Sequence, residues 1–234
     1  MPVRFTPALY WITCLAGWLI VGCQPPSGAP FSVGYDYFPL QTGQYRIYDV
    51  TEHRYALTSA PISRTYQLRE VTGLAYTDAA GQVAYQLHRY RRDNETAPWQ
   101  PDSIWSARLV NNEGIRTENG RDFIKLVFPP GDLLTWNGNR RNGSEPDELT
   151  LRNSGQPHRV QDKQFGETVT VLARTDSTLI SKKKRIEVYA RQVGLVYAEQ
   201  TRIYFCTSSP DCIGKNQIDY GIQQVYSIRS FGID

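Results

Sequence analysis

Ile115-Arg116-Thr117-Glu118-Asn119-Gly120-Arg121-Asp122-Phe123-Ile124-Lys125-Leu126-Val127-Phe128 is the stretch that decides the fold class. Asn and Gly both accept the left-handed backbone that a two-residue hairpin turn requires. Asn119-Gly120, set between 115–118 and 121–128, therefore predicts two antiparallel strands. The same texture runs outward from it. Val83, Tyr85 and Leu87 alternate with Ala84, Gln86 and His88; Trp105, Ala107 and Leu109 alternate with Ser106 and Arg108. Ile186, Val188 and Ala190 alternate with Glu187, Tyr189 and Arg191. Period-two alternation is what a sheet with one buried face requires. The 15 tyrosines, with a steady supply of Val, Ile and Thr, suit a pleated surface. Turn chemistry separates the runs, in Asp78-Ala79-Ala80-Gly81 and Asn111-Asn112-Glu113-Gly114. No segment carries a helical stripe over three turns, although 132–134 could form one turn. The expected fold is all-β, an antiparallel meander of about 10–12 strands with little helix, because a sheet that long curls, closes or splits. Barrel, half-barrel and sandwich all satisfy the pattern. The interval 137–156, rich in Asn, Gly, Ser and charge, reads as a long loop.

The N-terminal segment has a different texture. Arg4 precedes a largely apolar stretch, 7–22, of 16 residues, whereas crossing a bilayer as a helix takes about 20. A basic start, a short apolar core and small residues at its end read as a secretory signal. An uncleaved anchor or a buried helix is the alternative. The closing Ile20-Val21-Gly22-Cys23 resembles a bacterial lipobox, which implies a diacylglyceryl group on Cys23, cleavage before it and acylation of the new amine. The domain plan is then 1–22 as lipoprotein signal, 23–33 as lipidated Cys23 and a Pro/Gly/Ser tether, and 34–234 as a single β-rich domain. Roughly ten tether residues span about 17–19 Å as a flexible coil. Two or more acyl chains hold a protein firmly on its membrane.

Of the four cysteines, Cys14 leaves with the signal and Cys23 carries lipid. That leaves Cys206 and Cys212, which in an exported protein read as a disulfide. So short a loop contributes about 2 kcal/mol in the chain-entropy model. A metal site is the rival, but two thiolates without a nearby His do not fill a tetrahedral shell.

The 26 Lys and Arg against 23 Asp and Glu become 25 against 23 once Arg4 is removed. This balance argues against a nucleic-acid partner, which needs basic residues gathered on one face. The dense run Lys182-Lys183-Lys184-Arg185 fits a solvated strand end, or contact with anionic head groups.

Catalytic signatures are absent. His53, His88 and His158 are each followed by Arg, and none forms a spaced ligand pair. Neither Gly-x-Ser-x-Gly, a phosphate-binding Gly-rich loop nor an EF-hand pattern occurs. Ser181-Lys182-Lys183-Lys184 matches Ser-x-x-Lys, a pairing that needs a helix where this stretch leads into a strand. Glu145, Asp147 and Glu148 could offer oxygens to calcium, but solvated loop acids are the preferred reading. No catalytic residue, metal ligand or cofactor is therefore assigned. The aromatics are expected mainly to fill the core or cross-strand pairs, and Trp136, with Asn137 and Asn139 beside it, is the one most suspected of touching a ligand. Its Pro/Gly/Asn-rich setting and the ring's large contact area motivate the choice.

Three stretches carry a family resemblance. Tyr37-Phe38-Pro39-Leu40 with Gly43, Tyr45 and Tyr48 is one. Phe128-Pro129-Pro130-Gly131 with Trp136-Asn137-Gly138-Asn139 is the second, and Glu187-Val188-Tyr189-Ala190 with Val193-Gly194-Leu195-Val196-Tyr197 the third. Together they resemble small β-rich outer-membrane lipoproteins of the Bacteroidota. The resemblance implies a membrane-anchored envelope protein and carries no catalytic residues. Asp102-Ser103-Ile104 and Asp176-Ser177-Thr178 also resemble a short O-glycosylation pattern of exported proteins from that group.

The expected address is the outer membrane, lipid-anchored and periplasm-facing. The expected role is a non-enzymatic binding or structural module, with an envelope protein, glycan or lipid as partner. One alternative is a carrier holding an acyl chain in a curved-sheet cavity. A hydrolase whose residues come from distant strands is the other.

Overall fold

In the computed structural model of the protein, Asn119 and Gly120 take φ of 50° and 76°, and Glu118 pairs with Arg121 across them. Asn111 and Asn112, at 52° and 60°, make a second two-residue turn, with Val110 opposite Glu113. The structure describes residues 1–3, 33–57, 59–173 and 175–234. Cys23 and the rest of 4–32, on which the signal and tether expectations fall, lie outside the described residues.

The described residues form thirteen strands: β1 (Gln44–Ala56), β2 (Ser59–Thr77), β3 (Val83–Arg92), β4 (Gln100–Val110), β5 (Glu113–Glu118), β6 (Arg121–Val127), β7 (Thr135–Asn137), β8 (Glu148–Val160), β9 (Lys163–Ala173), β10 (Asp176–Ser177), β11 (Ser181–Ala190), β12 (Gly194–Phe205) and β13 (Ile218–Ile233). One 3₁₀ turn, Tyr35–Tyr37, precedes them. All pairings are antiparallel, in the order β6-β5-β4-β3-β2-β1-β13-β12-β11-β9-β8-β7, with β10 on β11. The sheet is a nearly closed barrel, which selects among the three architectures the sequence left open. Thirteen strands exceed the expected number because β7 and β10, of three and two residues, are too short to show periodicity.

Two contacts make the barrel. The first strand pairs with the last, from Gln44 opposite Ile233 to Tyr55 opposite Gly221, joining the two halves of the meander. The seam opposite lies between β6 and β7. There the Ile124 N–H donates to the Gly138 carbonyl at 2.9 Å, and the Trp136 indole N–H donates to the Ile124 carbonyl at 2.9 Å. The Asn142 amide adds a 2.9 Å bond to the Asp122 carbonyl. Residues 138–147 do loop as expected, and Arg140 and Arg141 in that loop grip the Glu113 carboxylate. Residues 148–156 do not: they are part of β8, because Leu149 and Leu151 alternate into the core.

Apolar packing forms two clusters. Leu87, Ala107, Ile115, Ile124, Leu126, Trp136, Leu149, Leu151, Val169 and Val171 make one. Tyr48, Val50, Tyr66, Leu68, Val196 and Ile228 anchor the other, joined by Val160 and Phe165 from the β8–β9 hairpin. That hairpin is irregular at Arg152 and Gln156. It reaches β12 and β13, with His158 at 6.3 Å from Tyr197 and Phe165 at 6.0 Å from Phe231 between ring centroids. Burial of each such side chain contributes about 1.5–3 kcal/mol.

Trp136→Phe keeps an aromatic ring but leaves the Ile124 carbonyl without its donor. The substitution should cost about 1–3 kcal/mol in urea unfolding, from the orphaned acceptor and lost volume.

Candidate functional site

Charged side chains occupy positions that face into the barrel, starting with Glu70 on β2. Register places Arg46 and Arg89 opposite it on the two neighbouring strands. Its carboxylate meets Arg46 Nη1 at 3.7 Å, Arg89 Nε at 3.8 Å and the Arg116 guanidinium in direct contact. Gly194 makes room for this arrangement, since a Cβ there would lie 3.1 Å from Arg46 Nε and Nη2. The Arg46 guanidinium also donates to the Val193 carbonyl and, at 3.0 Å, to Gln44 Oε1. The chain of ions continues from Arg116 to Glu118 at 3.7 Å, then Lys125 at 3.2 Å, then Glu187 at 3.2 Å. The Tyr189 hydroxyl donates to the far Glu187 oxygen at 2.5 Å, and Arg185 pairs with Asp147.

These contacts set the protonation of each member. Burial alone would raise the Glu70 carboxyl, but Arg116, Arg46 and Arg89 outweigh it and hold the group below the usual carboxylate range. At Glu187 burial is likewise overcome, chiefly by Lys125 and Arg185, which bring it down to about 2. Burial opposes the charge on Lys125 as well, yet Glu118 and Glu187 raise it above the ordinary lysine value. The Tyr189 hydroxyl is pushed well up by burial and then by the adjoining Glu187. Every shift moves a group further into its ordinary state at neutral pH. General acid–base work needs a group poised near the operating pH, and these ion pairs do the reverse.

Two spaces that share part of their lining adjoin the chain of ions. An inner cavity of about 300 Å³ is bounded by Tyr48, Arg89, Trp105, Arg116, Tyr189 and Tyr226, among others. An outer basin of about 590 Å³ is bounded by Arg121, Phe123, Lys183, Arg202 and Tyr204 and by part of the loop after β7. Glu118, Lys125, Arg185, Glu187 and Gln200 line both. A further space of about 30 Å³, enough for a water or two, adjoins Glu70 beside Phe38 and Leu87.

Three polar atoms of residues that line the inner cavity are enclosed without a hydrogen bond. Arg89 Nε, Arg116 Nε and Trp105 Nε1 are buried without a hydrogen-bond acceptor. The Arg89 guanidinium lies 3.6 Å from the Trp105 ring centroid and that of Arg116 at 4.8 Å, so the three donors surround one indole.

Of the ligand-contact residues singled out from sequence, Asn139 alone borders one of these spaces. Trp136 is buried in the seam. The Asn137 side chain accepts the backbone N–H groups of Asn139 and Asp147 at 2.9 Å each. Asn139 donates to the Glu145 carbonyl at 2.7 Å and borders the outer basin. Cys206 and Cys212 are joined, with 2.16 Å between sulfurs, in the loop between β12 and β13. Asp147 is committed to Arg185, and no group of three or more potential metal ligands occurs among the described residues. The inward charges escaped sequence reasoning. Glu187 and Tyr189 alternate with Val188 and Ala190 and were expected on a solvent face, yet all four are buried.

No family model matches the chain, and no curated protein matches it. Among solved structures, a Bacteroides fragilis NCTC 9343 protein described as exported, with a YMCC-like fold, aligns over 82% of this chain and 98% of its own. Identity is 14% and the TM-score 0.39. A Parabacteroides distasonis ATCC 8503 protein described as a lipoprotein aligns over 84% of this chain and 98% of its own, at 9% identity and a TM-score of 0.37. Neither description names a ligand or a reaction.

Two outcomes test the electrostatics. A depressed carboxyl value contributes stability that is complete above the ordinary value and lost as pH falls through the folded one. The urea midpoint should hold down to about pH 5 and then fall towards about pH 2, less steeply in Glu187→Gln. Glu70→Ala strands three guanidinium groups and should cost about 3–5 kcal/mol by the same measurement.

Proposed function

We propose that this chain is a lipid-anchored envelope protein, held by Cys23 on the outer membrane and facing the periplasm, whose barrel binds a polar ligand without transforming it. The observation that carries the binding part is the inner cavity, whose wall is made largely of ion pairs and tyrosines. The address rests on the short apolar leader and the tetrapeptide ending at Cys23.

An acyl-chain carrier fits this interior poorly. A hydrocarbon pushed against Arg89, Arg116, Lys125 and Glu187 would strip water from charges and return no hydrogen bonds, which is costly. A hydrolase fits poorly as well, since Glu70 and Glu187 are held ionised and Lys125 protonated.

Native mass spectrometry of the full chain released in mild detergent tests both halves. The expected mass is that of residues 23–234 plus covalent acyl groups, with no additional lipid. A stoichiometric non-covalent fatty acid or phospholipid would favour the carrier instead. Cys23→Ser should abolish the acyl mass and either release the chain from membranes or leave its leader uncut. Normal maturation and unchanged membrane association in that variant would end the anchoring claim.

A further inference from the structure

The outer basin holds an excess of positive charge that the protein itself does not neutralise. Six basic and four acidic side chains line it. Three of the acids, Glu118, Asp147 and Glu187, are engaged by Lys125, Arg116 and Arg185. Lys184 is taken by Glu199 at 2.8 Å. Arg121, Lys183 and Arg202 remain, on β6, β11 and β12, exposed and without an ion pair or side-chain hydrogen bond. Lys183 and Arg202 stand directly opposite each other in register. Like charges in that position destabilise a sheet, so an anion between them would relieve a repulsion already present. Asp176, opposite Lys183 on its other side, makes no ion pair with it. Glu145 is the one unengaged carboxylate of the basin, too few to balance three cations.

The inner end asks for the same chemistry by a separate route. Its unsatisfied atoms are all N–H donors, on Arg89, Arg116 and Trp105. The remaining buried orphan among the described residues, Thr72 Oγ1, does not line the cavity. Buried donors without a hydrogen bond are costly; Arg89 Nε and Arg116 Nε have only the long ion pairs to Glu70 at 3.8 Å and Glu118 at 3.7 Å, and Trp105 Nε1 has no acceptor. Phe123 and Tyr204 at the mouth, with Trp105, Tyr48 and Tyr226 inside, offer ring faces to the body of a polar molecule.

We propose that basin and cavity form one site for a small molecule bearing an oxyanion (a carboxylate or phosphate group). Arg121, Lys183 and Arg202 capture it at the mouth, and the donors around Trp105 receive its acceptor oxygens. This assignment rests on the polar-ligand reading above and narrows it to one charge class.

The test is calorimetric titration of the full chain in phosphatidylcholine nanodiscs, with empty nanodiscs as blank. Citrate and glucose 6-phosphate are the oxyanion probes, and maltose is the neutral polar control. Saturable binding of at least one oxyanion is expected, weakening as salt is added. The triple variant Arg121→Gln, Lys183→Gln, Arg202→Gln changes only exposed, unpaired side chains and should weaken that binding about tenfold. Trp105→Phe keeps a ring beneath Arg89, removes one donor and should weaken it about threefold. Unchanged affinity in either variant overturns the assignment at that end of the site. Nanodiscs of phosphatidylglycerol separate two sources of the group. Unaltered citrate affinity there supports a free small molecule, and competition by the lipid supports a headgroup. Binding of maltose as tight as that of the oxyanions, in native chain and triple variant alike, overturns the anion assignment and leaves the polar-ligand reading intact. Absence of saturable binding by either oxyanion also overturns it. If maltose fails too, and mass spectrometry finds a bound acyl chain, the polar-ligand reading falls with it.

Discussion

The run of alternating charges from Glu70 through Arg116, Glu118 and Lys125 to Glu187 spans the inside of the barrel from β2 to β11. It connects strands of the first half of the meander to strands of the second that are not neighbours in the sheet. The β1–β13 pairing and the short β6–β7 seam also link the halves. Once buried, none of these charges is tolerable alone. Removing one partner leaves an uncompensated ion, whereas the complete chain satisfies each of its carboxylates. The shape of the barrel and the polarity of its interior are therefore one constraint.

Width explains why charges are there at all. About eight strands make a barrel just wide enough for side chains to fill its centre. Twelve strands follow one another around this sheet, so apolar residues cannot close the middle. The chain responds by separating its contents. Leu, Ile and Val fill the part near β5–β9, Tyr48, Val50, Tyr66 and Leu68 pack between β1 and β2, and long charged side chains reach across the gap that remains. Arg and Lys suit this role because their stems cover apolar wall while their heads meet a partner.

Local chemistry in the sequence read out well, and the facing of strands did not. Asn119-Gly120 announced its hairpin because only certain residues accept that backbone, a property needing no knowledge of neighbours. The pairing of Cys206 with Cys212 followed from elimination. In contrast, Glu187 and Tyr189 looked like the solvent side of an amphipathic strand, because alternation distinguishes two faces without saying which is inside. Arg116 and Glu118 carried the same ambiguity. Their inward placement depends on Glu70 and Lys125 arriving from other strands, information spread over more than a hundred residues. Trp136 drew attention for its Pro/Gly/Asn-rich surroundings, yet those residues form the turn that delivers its indole to the Ile124 carbonyl.

The β1–β13 pairing also fixes polarity along the barrel axis. Gln44 and Ile233 sit together at one pole, where the chain from Gly34 enters. Arg202 lies in register with Ile222, and Ile222 with Arg54, ten positions further along β1 than Gln44. At about 3.3 Å per residue, that is roughly 33 Å measured along the strand, and less along the axis because barrel strands tilt. The mouth lined by Arg202 and the point where Gly34 leads into the sheet therefore lie at opposite ends of the strands.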